Sequence, residues 1–139
     1  MIAYFDTSAL VPLLVDEPGT DAATVLWNEA DRIAGVRLVY AEGCAAFAMA
    51  VRTGRIGHSE LRESIEGLDH LYQQMDVVEV SDALVRRAGA LAEVHSLRGY
   101  DAVHLAAAET LIAEDVVFVA GDDPLCQAAE SVGLAVART

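Results

Sequence analysis

Five carboxylates stand where this chain's pattern would offer them to a ligand: Asp6, Glu42, Asp101 and the adjacent pair Asp122 and Asp123. Asp6 closes the apolar run Ile2 to Phe5, and the pair follows another such run, Val116 to Ala120. Asp101 opens the almost wholly apolar stretch Ala102 to Ala108, and Glu42 is the only acid within YAEGCAAFAMA. Each has a plain structural role available, as a helix cap or a turn residue. Together they are harder to dismiss, because carboxylates in apolar surroundings are costly to bury unpaired and the adjoining sequence offers few basic residues. A hard divalent cation resolves that cost. Mg²⁺ or Mn²⁺ takes oxygen ligands, keeps several waters and needs only one or two direct carboxylates. The chemistry open to such a set is Lewis-acid assistance to attack by water.

Positioning these acids requires strands that end at them and helices that begin at them. The apolar runs and turn signals predict strands at Ile2 to Phe5, around Ile33 to Gly35, at Val77 to Val80, Val116 to Ala120 and Leu134 to Ala137. Helices are predicted between them: a short one to about Val15, then Thr20 to Asp31 capped by Thr20 or Asp21, Arg37 to Thr53 with Glu42 mid-helix, and His58 to Met75 opened by Ser59. Further helices are predicted over Ser81 to His95, from Asp101, and over Pro124 to Ser131, the last with Asp123 as its cap. Strands joined by helices of this length are parallel neighbours with right-handed crossovers. The expected fold class is therefore α/β, with a mostly parallel sheet of four to five strands. In an open sheet of that kind ligands sit beyond the carboxyl ends of the strands, the edge to which Asp6 and Asp122 map.

At 139 residues and 54% hydrophobic, the chain fits one domain with a core that needs no disulfide staples. Cys44 and Cys126 form no CxxC pair and lie near no histidine cluster, so they read as buried thiols in a reducing compartment. No apolar run approaches the ~20 residues of a membrane span, and a cytoplasmic location is expected. The formal charge of −13 argues against a protein that coats nucleic acid, so a polyanionic ligand must be met locally. All nine basic residues are arginine. Arg52, Arg55 and Arg62 fall close together; they read first as a solvated helix end, and Arg52 and Arg55 are the candidates for phosphate contact.

The stretches YFDTSALV, YAEGCAAFAMA, LRGYDAVHLAAA and FVAGDDPLCQAAESVGL resemble the four acidic motifs of PIN-domain ribonucleases, and most closely the VapC toxins of bacterial toxin-antitoxin pairs. The resemblance runs from end to end. It is specific as an ordered set of four, with YDAVHLAAA the most telling member. It implies a PIN-like three-layer α/β/α sandwich forming a single domain over residues 1–139. It further implies a catalytic and metal-binding quartet of Asp6, Glu42, Asp101 and Asp122, with Ser8 and Asp123 in support and Mg²⁺ or Mn²⁺ as cofactor. Asp6 and Asp101 would be the principal ligands; Glu42 and Asp122 would act through water or orient the nucleophile. Ala120 departs from the pattern, standing where the family commonly has Ser or Thr.

The implied activity is metal-dependent endoribonuclease cleavage of RNA, as a toxin that inhibits translation, with a cognate antitoxin and a second copy of the chain as partners. The apolar stripe Ile65, Leu68, Leu71 and Tyr72 is either internal or a groove for a partner helix. His104 reads as a hydrogen-bonded core residue rather than a catalyst. The rival enzyme classes, receiver-like and haloacid-dehalogenase-like phosphotransfer, use a basic residue, normally lysine, near the phosphoryl group, and the chain has no lysine. A second rival is a PIN-like module that keeps its acids but only binds RNA or protein.

Overall fold

A computed structural model describes residues 1–139 and contains five strands: β1 (Ile2–Phe5), β2 (Arg32–Val36), β3 (Asp76–Val78), β4 (Val116–Ala120) and β5 (Ala135–Arg138). They form one sheet in the order β3-β2-β1-β4-β5, and every neighbouring pair is parallel. All four residues of β1 are buried, as expected of a strand covered on both faces, which is why it reads as an unbroken apolar run rather than an alternation. Seven helices complete the sandwich: α1 (Thr7–Leu10), α2 (Thr20–Glu29), α3 (Val39–Arg52), α4 (His58–Gln73), α5 (Asp82–His95), α6 (Gly99–Glu109) and α7 (Asp123–Ser131). The architecture is the three-layer α/β/α arrangement expected from the sequence. No helix is long and apolar enough to cross a membrane.

The strand order fixes where a site can form. From β1 the chain moves outward through β2 to β3, then returns to place β4 on the other side of β1. The direction of winding changes between β1 and β4, and the crevice beyond their carboxyl ends is where open α/β sheets bind ligands. Their register pairs Phe5 with Val119, and the Asp6 amide donates to the Val119 carbonyl at 2.9 Å. Asp6 is thereby the first residue past the sheet at its central strand.

Several elements differ from their expected bounds, each for a local reason. Helix α3 begins at Val39 rather than Arg37, because the Arg37 amide donates to the Val78 carbonyl at 3.0 Å and keeps the chain on the sheet edge. Glu42 consequently lies in the first turn of α3 and not mid-helix. Helix α2 is preceded by Gly19 without a side-chain cap; the Thr20 hydroxyl donates instead to the Pro12 carbonyl at 2.8 Å and accepts from the Glu17 amide at 2.9 Å. Ser59 does not open α4, which starts at His58 after Gly57. At α7 the cap is Asp122, whose side chain accepts from the Leu125 amide at 2.9 Å, so the capping expected of Asp123 falls to its neighbour.

The apolar stripe of α4 is used inside the chain. Leu68 is fully buried, and a Cβ at Gly43 on α3 would meet Leu68 Cδ2 at 2.9 Å, so glycine there lets the two helices approach closely. Ile65, Leu71 and Tyr72 pack half-buried on the same core. Since Gly43 follows Glu42, this contact also seats the helix that carries the acid. Leu68→Ala should lower unfolding free energy by about 2–5 kcal/mol, read as a shifted midpoint in urea, because the rigid interface cannot close over the lost volume.

Candidate active site

Each candidate acid reaches the carboxyl edge by a different route. Asp6 leaves β1 and caps α1: its Oδ2 accepts from the Ser8 amide at 3.0 Å and from the Ser8 hydroxyl at 2.5 Å. The same hydroxyl accepts from the Gly121 amide at 2.9 Å, so Ser8 ties the end of β1 to the loop that follows β4. Asp122 stands on that loop. Asp101 comes from the first turn of α6, whose residues 104–108 are fully buried and anchor it from behind.

His104 lies at the centre of the arrangement, one turn beyond Asp101 and fully buried. Its Nε2 is 2.7 Å from Glu42 Oε1, and its Nδ1 is 3.3 Å from Asp6 Oδ1 and 3.2 Å from the Tyr4 hydroxyl. The Thr7 hydroxyl donates to the same Glu42 oxygen at 3.1 Å. His104 is thus the hydrogen-bonded buried histidine expected from the sequence, but one of its partners is the candidate acid Glu42, and a second, Asp6, lies within ion-pair distance. Burial alone would lower its pKa; the Asp6 charge, the hydrogen bond to Glu42 and the charges of Glu42 and Asp101 outweigh this and raise it. The Tyr4 phenol is pushed well above its ordinary range, by burial first and by the Asp6 charge next.

Asp101 and Asp122 are joined by an arginine. Arg98 Nε donates to Asp101 Oδ2 at 2.8 Å, and its Nη2 lies 3.8 Å from Asp122 Oδ2. Asp122 is the half-buried member of its pair, while Asp123 is 79% exposed and turned toward Arg138, 3.6 Å away. The quartet is therefore knit into two pairs by two bases, Asp6 with Glu42 through His104 and Asp101 with Asp122 through Arg98. Asp123 lies outside it.

The two arginines expected to meet phosphate do not approach these acids. Glu42 and Arg52 sit ten residues apart on α3, which separates them by about 15 Å along the axis. Arg55 is held by Glu17 at 2.9 Å. The arginine that does reach them is Arg98, and its spacing of three residues from Asp101 at a helix start was the available signal. Thr7, which lies within the first motif but is not among the candidate residues, supports Glu42.

The donors present are carboxylate oxygens, with both cysteines free and neither among them, a set whose chemistry suits a hard divalent ion. No three of the chain's acidic, histidine or cysteine groups form a ready-made ion cluster. Beside Glu42 and Asp101 opens a cavity of about 540 Å³. Its wall is Val85, Ala88, Ala92 and Val103, and its rim carries Arg98 and the 66% exposed Tyr100.

The raised pKa of His104 sets a pH dependence for the ion-free protein. A raised folded value means stability that is full below the ordinary value of 6.5 and is lost as pH rises through the folded value. Urea midpoints across pH 5–9 should fall with rising pH through that window, and His104→Asn should flatten this component. A wild-type profile that climbs through the window would contradict the assignment.

Residues 3–130 match the family model described as PIN domain. Ribonuclease VapC49 of Mycobacterium tuberculosis is 37% identical over 136 residues, 98% of this chain and 94% of that protein. The fold is shared with the crystal structure of M. tuberculosis VapC20, a sarcin-ricin loop cleaving toxin (TM-score 0.69, 18% identity, 99% of each chain). It is shared also with VapBC-5 of the same organism, a member of a family of toxin-antitoxin systems (TM-score 0.64, 15% identity, 99% of this chain and 98% of that one). With four acids drawn to the switch point of a parallel sheet and the family model spanning nearly the whole chain, this protein belongs to the PIN-domain family.

Proposed function

We propose that this protein is a divalent-metal-dependent endoribonuclease, the toxin of a toxin-antitoxin pair. The observation that carries the reading is the convergence of Asp6, Glu42, Asp101 and Asp122 on the crevice between β1 and β4. Relatives named as VapC ribonucleases support the same activity. Mg²⁺ or Mn²⁺ would be held chiefly by Asp6 and Asp101, with Glu42 and Asp122 acting through water. Once bound, the ion supplies Lewis-acid assistance at the phosphodiester.

The chain's own groups do the rest. Ser8 fixes one oxygen of Asp6 by two hydrogen bonds and thereby aims the other. His104 and Thr7 hold Glu42 Oε1, placing that carboxylate to accept a proton from the attacking water. The cavity behind Asp101 would receive a base of the RNA strand, with Tyr100 as a stacking surface. A protein of charge −13 with acids at its site suits a basic inhibitory segment, and we assign that role to the cognate antitoxin. A second copy of the chain is the expected partner for the remaining exposed apolar residues, among them Met49 and Val94. We place the protein in the cytoplasm.

Cleavage of a total RNA preparation should require Mg²⁺ or Mn²⁺ and stop with a chelator. Asp6→Asn and Asp101→Asn should each reduce the rate by about 100-fold or more, the scale of losing one preorganised electrostatic group. RNA capture without any metal-dependent cutting would instead favour the binding module. Tyr100→Ala should weaken RNA binding by about 1–3 kcal/mol with little effect on folding, measured by anisotropy of a fluorescent RNA.

A further inference from the structure

Arg98 is the one arginine that contacts candidate catalytic acids from two elements, Asp101 on α6 and Asp122 at the start of α7. Its side chain is 80% exposed, whereas Asp101 is 18% exposed, so the guanidinium lies over the acid from the solvent side. It also occupies the N-cap position of α6 and supplies no capping hydrogen bond there. Serine, threonine, asparagine or aspartate would satisfy an amide at that position; arginine leaves it and reaches across the crevice instead. Of the other arginines, Arg32, Arg37, Arg55, Arg86, Arg87 and Arg138 are paired with acids elsewhere, and Arg52 and Arg62 are paired with none.

We propose that Arg98 is a substrate-positioning residue that shares Asp101 and Asp122 with the divalent ion in turn. Without the ion, its guanidinium neutralises the two carboxylates. When the ion takes them, the side chain is released at the same rim and meets an RNA phosphate. The exchange is feasible because an exposed arginine-carboxylate pair is weak enough to be given up. A guanidinium also matches phosphate with two parallel hydrogen bonds. The proposal rests on the metal-dependent reading above, and it makes a demand of its own. Loss of Arg98 must strengthen ion binding while it weakens RNA binding. A purely structural role would move both the same way or neither.

The test compares the full-length wild type with Arg98→Gln and Arg98→Lys, each first checked for an unchanged thermal midpoint. Mn²⁺ affinity is read from the paramagnetic resonance signal of free Mn²⁺. RNA affinity is read from the anisotropy of a fluorescent mixed-sequence single strand in Ca²⁺, over a range of salt. Arg98→Gln should bind Mn²⁺ about two- to fivefold more tightly, the range that release of an exposed ion pair allows. Its RNA affinity should fall, with a log-log salt slope shallower by about 0.7, the loss of one phosphate contact to a single strand. Arg98→Lys should restore the Mn²⁺ competition and only part of the RNA affinity. Mn²⁺ affinity that is unchanged or weaker in Arg98→Gln, or an unaltered salt slope, overturns the role of Arg98 and leaves the metal site standing. A wild type that binds no Mn²⁺ overturns both.

Discussion

A carboxylate at the end of a central parallel strand is cut off from water by the helices on both faces, and Asp6 is in that position, with only 6% of its side chain exposed. It stays there because one partner stands beside it in the chain and another comes from an element far away in sequence. Ser8 covers one oxygen, and His104, ninety-eight residues on, covers the other. The same histidine holds Glu42, so one buried imidazole links β1, α3 and α6. Much of the remaining design serves that junction. The close approach of Gly43 and Leu68 seats α3, and the buried alanines of α6 bring His104 up against Tyr4, itself stacked on Phe118 at 5.5 Å.

The site is built with basic groups already in place beside its acids. His104 lies among Asp6, Glu42 and Tyr4 in the interior, and Arg98 lies across Asp101 and Asp122 at the surface. The two differ in what they can give up. The buried contacts are shielded from salt and hold geometry, whereas the exposed pair is weak and exchangeable. This division offers a physical account of how two pairs of acids can be held at one sheet edge without an ion and still be open to one.

The four motifs bearing the acids lie on elements close to those expected, because each acid adjoins an apolar run whose burial dictates a strand end or a helix start. The misplacements have a common cause. Arg37 was expected to start a helix, but its amide is taken by Val78; Thr20 was expected to cap one, but its hydroxyl is taken by Pro12. Both are contacts between segments that local propensity cannot foresee. Asp122 and Asp123 illustrate the same point, since either has the chemistry to cap α7 and only the path of the loop beside Ser8 and Arg98 selects between them.

By itself the sequence determined the α/β class and the parallel sheet, because hydrophobic periodicity is written in residue order, and it singled out the candidate acids by the cost of isolated carboxylates. What only the tertiary structure decided is which bases answer them. Arg52 and Arg55 are near Glu42 in sequence yet sit at the far end of its helix and just beyond it, while Arg98 and His104 reach the acids from α6 and its cap. Charge pairing depends on distance in space, and a parallel sheet with long crossovers brings together residues that the chain keeps far apart.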